Sequence, residues 1–328
     1  MIANTNAPVF SVVMSVFNKE PHIARSINSV LEQTLKAFEL IIVCDPSTDK
    51  SNEKVSKFSD PRIRVFHRDK PGPGGYAARN LGICEAHSEW VAFLDADDEW
   101  YPEHLEKLLA LAEQFPQAGV MGCGYEIVSS EVVSSNREKD SYHDNRSHWG
   151  NHFLDFQSYL KAEAEGLRPT WTSATCVRKS ILEQSGAFPA GKANRGGDVD
   201  TWLRCIEKSK GVAWSAHITA VYHRDSVNMV TKTALADPVS QVETVGQLIL
   251  LHDERTRKLL RQYLNKRIIS AWRINSQIDP LLNFPLHRFL HLSECTLDDF
   301  VFFVYSLLPN NVRVLLKKIK LYVLNYTK

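Results

Sequence analysis

Asp95-Ala96-Asp97-Asp98 places three carboxylates within four positions, directly after the apolar run WVAFL at residues 90–94. Carboxylates this close repel one another, and a cation among them relieves the strain. Hard divalent ions such as Mg²⁺ and Mn²⁺ prefer oxygen ligands and bind one or two carboxylates together with phosphates. An ion held there would neutralise a departing diphosphate. The plainer reading is an acidic helix start that complements the helix dipole. The position straight after a buried strand favours the ion site. Two other phosphate-binding patterns are excluded. A dinucleotide fold needs a glycine fingerprint after its first strand, where this chain has Val16-Phe17-Asn18-Lys19; PGPGGY at 71–76 lacks the Gly-Lys-Ser/Thr of a P-loop.

The flanking elements fix where those carboxylates must lie. Residues 9–16, VFSVVMSV, read as a buried strand, and Ile23, Ile27, Val30 and Leu31 then share one helical face. FELIIVC at 38–44 is a second buried strand and runs into the turn formers Asp45-Pro46-Ser47-Thr48-Asp49. A short strand is predicted over 63–66, irregular chain over 70–75, a helix over about 77–86 and a strand over 90–94. Pro102 then suits the first turn of a helix whose apolar face is Leu105, Leu108, Leu109 and Ala112. Strands alternating with helices predict an α/β domain with a mostly parallel sheet covered on both faces. Ligands gather at the carboxyl ends of such strands, which sets Asp45 and Asp95 on one edge. Residues 126–170 are polar and read as loops and short helices; from Asp237 the pattern is helical to the end.

Composition narrows the partners. The 328 residues are 44% hydrophobic, and 39 Lys and Arg balance 38 Asp and Glu, so no overall charge draws the chain to nucleic acid. Six cysteines form no CxxC pair and read as reduced thiols. MIANTNAPVF has no basic segment followed by an apolar one, and the run Phe300–Leu308 is shorter than the ~20 residues of a membrane span, so a cytoplasmic location is expected.

FSVVMSVFN, FELIIVCDPSTDKS, GGYAARNLGI and EWVAFLDADDEWYPEHL, in this order and at these spacings, resemble family 2 glycosyltransferases of the GT-A type over roughly residues 8–225. The resemblance implies inverting transfer from a nucleotide-diphosphate sugar, UDP-linked by family habit, to an acceptor hydroxyl. It implies that Asp45 binds the nucleotide base and that Ser15 touches the nucleoside. Arg79 would lie near the nucleotide, Asp95 near the ribose as the first aspartate of a DxD motif, and Asp97 on a Mn²⁺ or Mg²⁺ ion. Asp45-Pro46-Ser47-Thr48-Asp49 is one residue shorter than the family's usual loop, which bears on base preference.

RGGDVDTWLRCIEK at 195–208 resembles the family's acidic helix start, with Gly197 in place of the usual preceding acid. Asp198 falls on the position of the catalytic base; Asp200 is its rival, or a cap of the helix. Val221-Tyr222-His223-Arg224 makes His223 a candidate third metal ligand against an ordinary core or surface histidine. Thr172 to Phe188 also fits the family, though Gly186 as a helix terminator and Phe188 as a packing residue explain its end. His143, His148 and His152 do not have zinc spacing and read as part of an acceptor loop. Trp149 and Trp171 suit either sugar stacking or the core.

Residues 235–328 lie outside the resemblance. Val312, Leu315, Leu316, Ile319 and Val323 recur at helical spacing among Arg313, Lys317, Lys318, Lys320 and Lys328. Two readings stand for this extension: a helix lying on an anionic membrane, or one packed on protein. The expectation is a GT-A transferase domain at 8–225 with a helical extension at 235–328, acting on a saccharide or lipid-linked saccharide acceptor in surface polysaccharide or glycolipid synthesis, cytoplasmic or peripheral on the membrane's inner face. The alternative is an inactive nucleotide-sugar-binding module or a membrane-associated assembly protein of a polysaccharide complex.

Overall fold

The computed structural model describes residues 7–129, 138–141, 150–278, 286–309 and 311–313. The chain divides into two compact units, Met1–Val230 and Thr231–Lys328.

In the first unit the apolar runs become strands β1 (Phe10–Val16), β2 (Phe38–Cys44), β3 (Ile63–His67) and β4 (Trp90–Phe93), ordered β3-β2-β1-β4 and parallel throughout. Helices α1 (Ile23–Leu31), α2 (Ser51–Val55) and α3 (Tyr76–Glu85) are the crossovers. On one face, Val12, Met14, Leu40, Ile42 and Ala92 join Ile23, Ile27 and Val30 of α1 in a single buried cluster. β1, β2 and β4 are buried on both faces, which is why their runs carry no polar alternation, whereas the edge strand β3 is half-buried or exposed along its length. Val16 pairs with Cys44, so β1 and β2 end level, while β4 ends opposite Val13, at the same edge of the sheet. Asp45 N–H donates to Val16 at 2.9 Å and Leu94 N–H to Val13 at 3.2 Å, so both aspartate loops leave from one edge.

Beyond β4 the sheet becomes mixed. β5 (Glu99–Trp100) and α4 (His104–Gln114) follow the acidic loop. Then come β6 (Val120–Ser129), β7 (Glu138–Ser141), β8 (Asn151–Asp155), α5 (Phe156–Ala164), β9 (Thr175–Arg178), α6 (Lys179–Gln184), α7 (Gly197–Lys208) and β10 (Gly211–His223). The order continues β4-β9-β6-β10-β5: β9 is antiparallel to both neighbours, β6 and β10 are parallel, and β7 and β8 add to β6 and β10. The stretch 126–170, expected as loops and short helices, thus also carries strand. β8 is half-buried at four of its five positions and is held by antiparallel pairing with β10, not by an apolar pattern of its own.

Among the described residues of the second unit, the longer helices are Val239–Leu251, Glu254–Ile278 and Leu297–Leu307. The last begins with a capping box in which Thr296 and Asp299 satisfy each other's backbone N–H. Leu297, Phe300, Val301, Val304 and Leu307 on it are exposed. The amphipathic pattern expected from Leu315 to Val323 lies outside the described residues, as do His143, His148 and Trp149.

Candidate active site

The carboxyl edge of the parallel strands carries four aspartates, and each is held differently. Asp45, buried, accepts from the Arg68 guanidinium and from Gly72 N–H at 3.2 Å. Asp95, half-buried, accepts from Arg79 Nη2 at 2.5 Å. Burial pulls the Arg79 pKa down, but the Asp95 charge and hydrogen bond outweigh it and hold it above the ordinary value. Arg79 Nη1 also donates to Gly74 O at 2.7 Å, stitching α3 to the glycine turn before it. That turn needs glycine: Gly75 has φ +68°, and a Cβ there would lie 2.9 Å from Ser15 Oγ. Ser15, Gly75 and Arg79 therefore converge at the end of β1.

Asp97 Oδ2 accepts from Lys19 Nζ at 2.6 Å, and Asp97 O from Arg25 Nη2 at 2.6 Å. Asp98 is buried and points inward, accepting from Ser173 Oγ at 2.6 Å and His223 N–H at 3.3 Å. Burial, then the charges of Asp97 and Asp95, push its pKa well above the usual carboxylate range. The oxygen chemistry of the Asp95–Asp97 edge fits a divalent cation at the loop. Among the described residues, no group of three or more His, Cys, Asp and Glu is arranged to hold a metal. The donor set thus suits an ion that arrives with a diphosphate and not a closed protein cage. His223, the expected third ligand, donates its backbone N–H to Asp98, and its ring Nε2 lies 3.1 Å from Glu99 Oε2, beside the acidic loop.

The acidic helix start lies in the mixed half. Gly196 (φ +84°) leads into α7, and a Cβ on Gly197 would lie 2.6 Å from Pro189 Cγ and 2.9 Å from the Tyr76 ring. Gly197 N–H donates to Tyr76 OH at 2.8 Å. An aromatic cluster anchors the helix to the sheet: Phe93, Phe188 and Trp202 have ring centroids 5.4 Å apart pairwise, and Tyr76 stacks on Phe188 at 5.9 Å. Asn80 clamps Phe188 N–H and C=O at 2.9 Å each.

The two candidate bases differ sharply. Asp200 is buried and paired with Arg204 Nε at 2.9 Å, and Arg204 also donates to the carbonyls of Ser185 and Ala187, so it is a structural brace. Asp198 is half-buried and accepts from Thr172 Oγ1 at 3.1 Å. Its charge is felt by Tyr76, whose pKa burial and Asp198 raise together, and by Arg195, whose pKa burial lowers against that attraction.

Thr172 and Ser173 join the two halves. As Thr172 holds Asp198, Ser173 Oγ accepts from Asp95 N–H at 3.1 Å and donates to Asp98, and Ser173 O accepts from Trp100 Nε1 at 2.5 Å. One dipeptide thus fixes the α7 start against the Asp95–Asp98 loop. Sequence reading did not single it out, nor Lys19, Arg68 and Tyr76. Thr172, Ser173, Tyr76 and Lys19 sit within segments that carried the resemblance or its contrast; Arg68 follows β3 with no pattern to mark it. Trp171 lies at the site's flank, 4.4 Å from Tyr125 and 5.2 Å from Tyr222 between centroids.

A parallel sheet with aspartates past its second and fourth strands, continued by an antiparallel strand and a mixed half, is the GT-A class of nucleotide-sugar transferase folds. It superposes on TarS of S. aureus in complex with UDP-GlcNAc at a TM-score of 0.66 and 18% identity, covering 91% of this chain and 79% of that one. A mannosyltransferase from Pyrobaculum calidifontis, PcManGT, in complex with GDP-Man and Mn²⁺, aligns at 0.58 and 15% identity over 92% and 79%. The family model described as Glycosyl transferase family 2 matches residues 11–185, more than half of the 328, and the chain belongs to that family. Among curated relatives, the Escherichia coli UDP-Glc:alpha-D-GlcNAc-diphosphoundecaprenol beta-1,3-glucosyltransferase WfgD is 34% identical over 123 residues, 38% of this chain and 48% of WfgD. The chain spans less than half the length of the curated relatives it matches. Among the described residues no helix is long and apolar enough to cross a membrane.

Proposed function

We propose that the protein is an inverting glycosyltransferase that moves a sugar from a UDP-linked donor to a hydroxyl of a saccharide carried on a lipid diphosphate. The observation that carries this reading is the Thr172–Ser173 joint, which holds a half-buried carboxylate, Asp198, against the Asp95–Asp98 loop. Asp45, with Arg68 and Gly72 fixing its orientation, accepts from the base N–H; Ser15 and Arg79 line the nucleoside and phosphates; Asp95 accepts from a ribose hydroxyl. Asp97 would hold a divalent ion, which supplies charge neutralisation for the leaving diphosphate when bound. Asp198 Oδ takes the proton of the acceptor hydroxyl as that oxygen attacks the anomeric carbon opposite the diphosphate, so configuration inverts. Thr172 orients the carboxylate and leaves its second oxygen for the acceptor. Relatives favour the donor and acceptor classes: TarS was solved with UDP-GlcNAc, and WfgD's name gives a UDP-sugar and a diphosphoundecaprenol-linked acceptor. The exposed apolar face of helix Leu297–Leu307, followed by the basic C-terminal sequence, suits the surface of an anionic membrane that presents such a lipid.

Calorimetric titration with UDP, GDP and dTDP, each with Mn²⁺ and with EDTA, tests the site. Metal-dependent binding of UDP, lost in Asp45→Asn, is expected. No binding of any nucleotide under either condition overturns the transferase reading and favours an assembly role. Flotation with anionic vesicles tests the surface: loss of binding in a Leu297→Asp, Val301→Asp double variant supports it, and equal flotation of both proteins refutes it.

A further inference from the structure

Lys19 is the one site residue whose charge opposes the role proposed for its partner. Its ammonium has three hydrogens and three acceptors: Asp97 Oδ2 at 2.6 Å, Val227 O at 2.8 Å and Asn228 O at 3.5 Å. The pair is largely shielded from water, with side-chain exposures of 13% for Lys19 and 12% for Asp97. Two further bonds close the same contact: Val227 N–H donates to His22 Nε2 at 3.1 Å, and Asn228 Nδ2 to Asn18 O at 3.3 Å. The chain after β10 is thereby strapped to the loop after β1, with Lys19 at the centre. Asn18 and Asn228 both adopt left-handed backbone, with φ of 52° each, so neither loop is held by regular structure.

We propose that Lys19 is a resident counter-ion of Asp97, which a divalent ion displaces only when it arrives with a nucleotide diphosphate. This deepens the donor-site reading and rests on it. An ammonium and a divalent cation cannot share one carboxylate oxygen at ligand distance, because their repulsion in a shielded site exceeds what that oxygen offers either. A diphosphate changes the balance: it brings further oxygen ligands for the ion and new acceptors for the released ammonium. Displacement of Lys19 also unfastens Val227 and Asn228, so occupancy of the donor site is coupled to the strap at residues 226–229. Free metal is kept out, and metal and nucleotide bind as one unit.

The test is Mn²⁺ binding by electron paramagnetic resonance, on the full chain and on Lys19→Met, with and without UDP. The unsubstituted protein is expected to bind Mn²⁺ at least ~10-fold more tightly with UDP than without. Lys19→Met is expected to gain at least ~10-fold in affinity for Mn²⁺ alone, and the gain to vanish on adding Asp97→Asn. The proposal is overturned if Lys19→Met binds Mn²⁺ alone no more tightly than the unsubstituted protein. It also falls, without any variant, if the unsubstituted protein binds Mn²⁺ equally well with and without UDP. Failure of the unsubstituted protein to bind UDP at all would instead remove the donor site on which the proposal stands, so the two failures are distinguishable.

Discussion

Of the four aspartates at the edge of the parallel half, Asp45, Asp95 and Asp97 are each paired with a cation, whereas the candidate base in the mixed half, like the inward-pointing Asp98, is held by a hydroxyl. Asp45 pairs with Arg68, Asp95 with Arg79 and Asp97 with Lys19; Asp198 accepts from Thr172 and forms no ion pair among the described residues. The difference follows from the tasks. A carboxylate that recognises a base or ribose only has to accept hydrogen bonds, and a guanidinium behind it fixes its direction. A carboxylate that must take up a proton is weakened by an adjacent cation, which favours its ionised form. Asp200 makes the contrast within one turn of helix, since it is buried and paired with Arg204 while Asp198 is not.

That contrast can be broken at Asp200. Asp200→Asn leaves the buried part of Arg204 without its counter-charge and is expected to cost stability toward the lower end of the roughly 3–5 kcal/mol typical of a split buried pair. The lower end applies because Arg204 keeps the Ser185 and Ala187 carbonyls. Chemical denaturation measures it, and UDP affinity should stay unchanged in the folded protein. A variant as stable as the parent but inactive would reverse the assignments of Asp198 and Asp200. A smaller effect sharpens the comparison at Thr172. Thr172→Val removes the hydroxyl at nearly constant shape and is expected to lower kcat about tenfold, or about 1.4 kcal/mol, while leaving nucleotide affinity in place. A change in nucleotide affinity with kcat intact would assign Thr172 to the donor half.

The two halves also differed in how far the sequence disclosed them. VFSVVMSV, FELIIVC and WVAFL are doubly buried strands, so their apolar runs marked them to within a residue or two, and the turn formers after them located the edge. The mixed half is held by strand pairing across long separations, as when Gly211–Ser215 of β10 pairs with Asn151–Asp155 of β8, and such pairing leaves no local pattern. Within the site, the resemblance drew attention to Asp45, Asp95, Asp97 and Asp198, but not to what holds them. Arg68, Lys19 and Thr172 act through tertiary contacts with residues 23 to 78 positions away. The environments that distinguish Asp198 from Asp200 likewise depend on the Arg204 side chain.

The most direct test sets binding against turnover in Asp198→Asn, using UDP titration with Mn²⁺ alongside UDP release from UDP-sugars in the presence of lipid-diphosphate-linked saccharide. The account predicts UDP affinity within about twofold of the parent and turnover reduced by roughly 10²–10⁴-fold, the usual contribution of a general base. Turnover that survives the substitution would contradict it.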